Sequence, residues 1–149
     1  PLEVRRRALE SAGYFGSIPE IQRQIELAYT NDEQLLRESA LVAMGRSMLE
    51  RWLPMIGREL TSPSPALRYE AARAAGEMAE DARTLLPKLT PLLNDPDSEV
   101  ALAAIWALGQ IGGDAAKRML QQLRKNADDT RSQAAADALD ELSLGDSVI

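Results

Sequence analysis

Four ten-residue windows of this chain line up without a gap: residues 4–13 (VRRRALESAG), 36–45 (LRESALVAMG), 67–76 (LRYEAARAAG) and 100–109 (VALAAIWALG). Each opens on an aliphatic residue, has alanine four places on, and closes on glycine. The closing glycines, Gly13, Gly45, Gly76 and Gly109, are 32, 31 and 33 residues apart. A fifth window, 131–140 (RSQAAADALD), keeps the alanines but loses the first aliphatic and the glycine. A fixed step of this length marks one supersecondary unit repeated along the chain, each copy burying its apolar face against the next. Few other folds tolerate such a pattern.

Inside the windows the apolar positions follow helical spacing. Val100, Ala103, Ala104, Ala107, Leu108 and Ile111 fall on one stripe at i, i+3, i+4, i+7. A second column, Leu9, Leu41, Ala72, Ile105 and Ala136, lies about a third of a turn away. A helix in a stack has two flanks to bury, one on its own partner and one on the next repeat, and two columns serve that need. A second helical segment follows each window, with stripes such as Leu49, Leu53, Ile56, Leu60 and Leu85, Leu89, Leu92. Ser17 with Glu20, and Ser47 with Glu50, have the spacing of reciprocal capping boxes, and Asp81 and Asp114 are further expected caps. Ser64-Pro65 and Asp95-Pro96 suit the start of a first helix. Pro54, Pro87 and Pro91 fall inside the second segments, so those helices are expected to kink or to begin near the proline. The recurring glycine either ends the first helix as a left-handed cap or lets the second helix cross close to its backbone. Close packing is expected, because Gly16 and Gly112 are better placed as caps.

Composition closes several routes. With no cysteine and no histidine, disulfides, thiolate sites, and the commonest metal ligand and general base are all missing. No apolar run reaches the roughly 18 residues of a membrane span. Of the formal net charge of −6, nearly all sits in residues 128–149, where Arg131 stands alone against Asp128, Asp129, Asp137, Asp140, Glu141 and Asp146. An acidic end repels phosphate and disfavours a nucleic-acid partner. Arg5, Arg6 and Arg7 are consecutive, so on a helix they point in different directions and form no stripe.

The chain resembles the HEAT family, and within it the short-period repeats called phycobilisome-lyase-type. Residues 86–113 (LPKLTPLLNDPDSEVALAAIWALGQIGG) carry the likeness most fully: a leucine-rich second helix, an Asp-Pro turn, a Val-led first helix and an Ala-Leu-Gly ending. The resemblance implies an all-α, right-handed α-solenoid of about four and a half repeats. Its limits are expected near 1–31, 32–62, 63–95, 96–127 and 128–143 in a single domain, with a tail at 144–149. A basic residue usually follows the opening aliphatic in this family. Arg5, Arg37 and Arg68 keep it, whereas Ala101 and Ser132 do not. An Asp–Arg ladder between repeats is therefore expected to break at the fourth, unless these arginines serve only to cap neighbouring loops.

Two surfaces are candidates for binding. Second helices line the concave side of such stacks, and there the residues off the apolar stripes include Arg23, Arg51, Met55, Lys88, Arg118 and Gln122. The alternative is that they are ordinary solvated positions. On the convex side Trp106 shares a column with Glu10, Val42, Arg73 and Asp137, which reads as exposed, and Leu102 lies one turn before it. Tyr69, Leu102 and Trp106 would then form an apolar patch, or the indole lies flat on the neighbouring helix. Trp52 reads as the edge of the core. The expected function is a non-catalytic, cytoplasmic scaffold for a protein partner, with no catalytic residue, metal or cofactor. A homo-oligomer or a place in a longer array is left open. The resemblance also allows a chromophore-lyase subunit or, less favoured, a nucleic-acid binder. The iron hydroxylases of this fold need His-Glu pairs, which a chain without histidine lacks.

Overall fold

The structure, a computed structural model, describes residues 1–147. Among them the chain is helical throughout, with no strand. First helices are α1 (Leu2–Ala12), α3 (Gln34–Ser47), α5 (Pro65–Met78), α7 (Ser98–Ile111) and α9 (Asp129–Ser147). Second helices are α2 (Pro19–Tyr29), α4 (Leu53–Glu59), α6 (Leu86–Leu89) and α8 (Gly113–Asn126). α9 runs on past residue 143 through most of the expected tail, and residues 148–149 lie outside the described part. The first helices form one row, α1 on α3 on α5 on α7 on α9, while α2, α4 and α8 pack under the first helix that follows each. The fold is an α-solenoid.

The glycine column shows why the row is tight. A Cβ added at Gly13 would lie 2.7 Å from the Cα of Ala43, and one at Gly45 would lie 2.8 Å from the Cα of Ala74. At Gly76 it would meet the Trp106 ring at 2.2 Å and the Cα of Ala107 at 3.1 Å, and at Gly109 it would meet the Cβ of Ala138 at 2.9 Å. The close approach is therefore to the first helix of the next repeat, not to the second helix of the same one. Its counterpart is an alanine that recurs with the glycine: Ala43, Ala74, Ala107 and Ala138, all buried.

Prolines set the second helices. α4 begins at Leu53 with Pro54 in its first turn, after a separate 3₁₀ turn at Glu50–Trp52. Pro87 opens the single turn of α6, and Pro91 starts the 3₁₀ segment Thr90–Asn94. Each proline lacks the N–H that a continuous helix would use. Proline also displaces an expected cap: Pro19 begins α2, so Ile18 is its N-cap and Ser17 is one residue too early. Ser47 still belongs to α3, where its hydroxyl donates to the Met44 carbonyl at 2.8 Å, so the second capping box is absent as well. Asp81 lies within a 3₁₀ segment and Asp114 is already inside α8, and neither caps a helix. Ser64 does cap α5, accepting from the Leu67 amide, with Pro65 at the first position. At α7 the cap is Asp97, which accepts from the amides of Glu99 and Val100, because Asp95 is committed elsewhere. Gly112 ends α7 with φ +69°, whereas Gly16 has an ordinary φ of −69° and is small because Ser47 lies against it.

Asp95 is 5% exposed and takes both ends of the Arg68 guanidinium, at 2.9 and 3.0 Å. Burial opposes its ionisation, but hydrogen bonds from Arg68 and the Asp97 amide, with the charges of Arg68 and Arg131, hold its pKa below the usual carboxylate value. The Asp–Arg rung is missing at the fourth repeat, where Ala101 stands in the arginine's place. Arg131 occupies the place of the lost aliphatic and donates to the carbonyls of Leu93 and Asp95. Arg37 caps its own preceding turn through the carbonyls of Asn31 and Asp32.

Candidate functional site

Along the row of second helices the expected residues separate into groups. Arg23 on α2 and Met55 on α4 line one cavity of about 400 Å³, together with Glu26, Leu27, Tyr29, Thr30, Trp52 and Arg58. Arg23 and Arg58 are exposed and Met55 is half-buried. Arg51 flanks the cavity: its guanidinium lies 4.3 Å from the centre of the Trp52 ring, bonds Gln22 at 2.6 Å and pairs with Glu26. Lys88 is elsewhere, donating to the Gly57 carbonyl at 3.3 Å. Gln122 lines a separate cavity of about 310 Å³ with Thr90, Asn94 and Met119, and Arg118 is exposed on α8. Three of the six residues thus gather around Trp52, and three do not.

Trp52 is fully buried, deeper than the core edge expected of it, where residues of α2 and α4, Leu27, Tyr29 and Met55 among them, meet around it. Its indole Nε1 has no hydrogen-bond partner among the described residues. A buried donor left unpaired costs about 1–3 kcal/mol. Tyr29 donates to Glu59 at 3.0 Å, and burial, followed by that carboxylate, raises its pKa. Sequence reasoning passed over Arg58, Tyr29 and Trp52 as parts of a site. Arg58 and Arg23 lie on different helices 35 residues apart, close to one repeat step plus one helical turn, and that offset was the available signal.

On the opposite side Tyr69, Leu102 and Trp106 are all half-buried and packed against the core. The Trp106 ring lies across Gly76, and the Arg73 guanidinium stacks on it 4.0 Å from its centre. The column expected to face solvent is instead a ridge shared by neighbouring first helices. Glu10 accepts from Ser39 at 2.6 Å, and Arg46 donates to the Glu10 carbonyl. Beside this ridge Glu38, Tyr69, Glu70, Asp97 and Glu99 line a groove of about 530 Å³. Burial, then the charges of Glu38 and Glu10, push the Glu70 carboxyl up to about 7 against the pull of Arg73 and Arg6. Among the described residues no group of three or more His, Cys, Asp or Glu side chains has the geometry to hold a metal, and no helix is long and apolar enough to cross a membrane.

A stack of paired helices with alanines on its seams defines a helical-repeat protein. It belongs to the HEAT-repeat family, whose profile matches residues 53–140. The crystal structure of an engineered protein has the same fold: the two agree with a TM-score of 0.65 over 94% of this chain and 72% of the other, at 21% sequence identity. No curated protein matches the sequence.

Proposed function

We propose that this chain is a non-catalytic scaffold that holds a protein partner along its second helices, at the cavity around Trp52. HEAT repeats generally serve as protein-interaction scaffolds. One observation carries the choice of place. Two exposed guanidinium groups, Arg23 and Arg58, converge with apolar Leu27 and Met55 on one cavity beside the buried Trp52. Apolar walls with a few placed polar groups make a recognition pocket, and cationic groups favour a carboxylate-bearing segment. The 31–33-residue step supports assignment to the short-period, phycobilisome-lyase-type branch, and a cytoplasmic location belongs to the same proposal.

A displayed-peptide selection tests this. Acidic segments with an apolar neighbour should be enriched, and Arg23→Glu with Arg58→Glu should weaken their binding at least about tenfold. Trp106→Ala should leave binding unchanged. Loss of binding on Trp106→Ala alone would move the site to the convex ridge. Retention of a chromophore or of nucleic acid, with no peptide enriched, would replace the proposal by one of those functions.

A further inference from the structure

The cavity around Trp52 has a counterpart two repeats along. Glu26, Tyr29, Thr30, Met55 and Arg58 help line the first, and Thr90, Leu93, Asn94, Met119 and Gln122 help line the cavity of about 310 Å³. Each residue of the second set stands 64 places after its counterpart in the first, the distance that also separates Gly45 from Gly109. The repeat thus forms the same pocket twice, once where α2 meets α4 and once where the 3₁₀ segment Thr90–Asn94 meets α8. The seam between them is made differently. There Lys88 stands in the place of Met55 and Met119, and its ammonium donates to the Gly57 carbonyl at 3.3 Å. The row of second helices is continuous: α2 touches α4 through Tyr29 and Glu59, α4 touches α6 through Gly57 and Lys88, and Thr90, just after α6, donates to the Met119 sulfur of α8.

The second pocket has its own chemistry. Gln122 replaces Arg58 and Asn94 replaces Thr30, and Asn126 joins them. All three are exposed, and among the described residues no hydrogen bond occupies their carboxamides. A carboxamide both donates and accepts, as a peptide main chain does, so the two are complementary. No acidic residue lines this pocket. Arg118 and Lys125 lie one turn to either side of Gln122 on α8, both exposed and, among the described residues, neither in an ion pair. α9, packed against α8, carries Asp129, Asp137, Asp140 and Glu141, which disfavours a long polyanion such as nucleic acid over a short acidic segment. Resting on the partner-binding reading above, we propose that one extended acidic segment of the partner crosses both pockets. One carboxylate meets Arg23 and Arg58, the main chain lies on the amides of the second pocket, and another carboxylate meets Arg118 and Lys125. Neighbouring helix axes lie about 8–10 Å apart, so two steps separate the pockets by roughly 16–20 Å. At ~3.3 Å per residue, about five or six residues of extended chain span that distance.

Fluorescence anisotropy with labelled synthetic peptides on the intact chain provides the test. One peptide carries a single Glu-Glu-Leu cluster; others of equal length carry two, separated by about two, six or thirteen residues. The six-residue spacing should bind at least about tenfold more tightly than the single cluster, and the two-residue spacing should show no gain. Arg118→Glu with Lys125→Glu should remove that gain and leave single-cluster affinity and the helical circular dichroism unchanged, since both side chains are exposed on α8. Gln122→Ala should reduce the gain about threefold. No gain at any spacing, or a gain indifferent to the Arg118 and Lys125 variants, would overturn the inference. So would tightest binding at about thirteen residues, the helical length of the same span, or displacement of the peptide by single-stranded DNA at equal concentration. In each of these cases, single-cluster binding that requires Arg23 and Arg58 keeps the proposed scaffold standing, whereas its absence removes both.

Discussion

The two ends of this stack are made from the same ten-residue window and behave as opposites. α9 buries Ala135 and Ala138 under α7 and α8 and turns Gln133, Asp137 and Asp140 outward. α1 buries none of its residues, and leaves Val4 and Ala8 in the open. The difference shows that burial in a repeat protein belongs to a position's neighbour as much as to the residue. At the tail the glycine column carries Asp140, whereas in α1, the head, Gly13 is covered by Ala43 and it is the Val4, Ala8 and Ser11 column that lies exposed. The interior seams are the standard against which both ends are measured.

The strongest contrast between seam and end is electrostatic. Arg68 on α5 and Asp95 in the turn before α7 form a nearly buried two-pronged pair, 15% and 5% exposed. Asp95→Ala leaves the nearly buried guanidinium without its counter-charge, held only by the carbonyls of Ser62 and Pro63, and the expected loss is about 3 kcal/mol in chemical unfolding. At the head, Glu3 and Arg6 form a pair whose carboxylate is mostly exposed, and Glu3→Ala should cost less than about 0.5 kcal/mol. Acid should act on the same seam. The Asp95 pKa is lower folded than unfolded, so its contribution is present above the ordinary carboxylate value near 3.8 and is lost as pH falls through the folded value. Equal costs for Asp95→Ala and Glu3→Ala would erase the distinction.

Next comes the glycine column itself. Gly45→Val should cost about 3 kcal/mol, because its Cβ meets the backbone of Ala74 and two helices have to part. Asp140→Val, the same column at the tail, should change stability by no more than about 0.5 kcal/mol. Urea denaturation of the pair tests the register directly, and a costly Asp140→Val would show that the tail is not closed by that residue.

A smaller effect comes from the place that Ser39 holds in α3 and Arg7 holds at the open head. In α5 it is Glu70, half-buried against Glu38, Glu10, Arg6 and Arg73, with Asp97 and Glu99 across the groove. Its folded pKa, about 7, lies above the ordinary 4.5. The folded state therefore binds the proton more tightly, and the stability this gives is full below about pH 4.5 and is lost as pH rises through 7. Glu70→Gln should match the native chain near pH 5 and exceed it at pH 8 by ~1–2 kcal/mol, allowing for solvent screening. No gain at pH 8 would show that the seam hydrates its carboxylate as freely as the head hydrates Arg7.

The pitch, the helices and the two ends' character could be read from the sequence, because alanine columns and prolines act locally and repeat. Three things could not. Helix starts shifted where Pro19 and the commitment of Asp95 to Arg68 overrode the expected caps. The ridge holding Trp106 looked solvent-facing on a single helix, and only the next helix, one repeat step away, half-buries it. The cavity at Trp52 joins residues of two repeats, and no single window contains it. The family profile begins at Leu53, so the first repeat lies outside the matched stretch.

The finest comparison lies three residues past each glycine. Beside the tail that residue is Gly112, at φ +69° and ψ −164°. One repeat earlier it is Ala79, at φ +52° and ψ −131°, a region that an alanine side chain resists and glycine enters freely. The same chain bend is thus made with relief in one repeat and with strain in the next. Ala79→Gly should stabilise the protein by ~1 kcal/mol, the released strain outweighing the added freedom of the unfolded chain. In thermal unfolding this is a rise of about 2–4 °C for a chain of this size. Gly112→Ala should lower the midpoint by at least as much, since it imposes on the fourth repeat the strain removed from the third. If neither variant moves the midpoint, the bend relaxes without cost, and the repeats differ at this position in sequence alone.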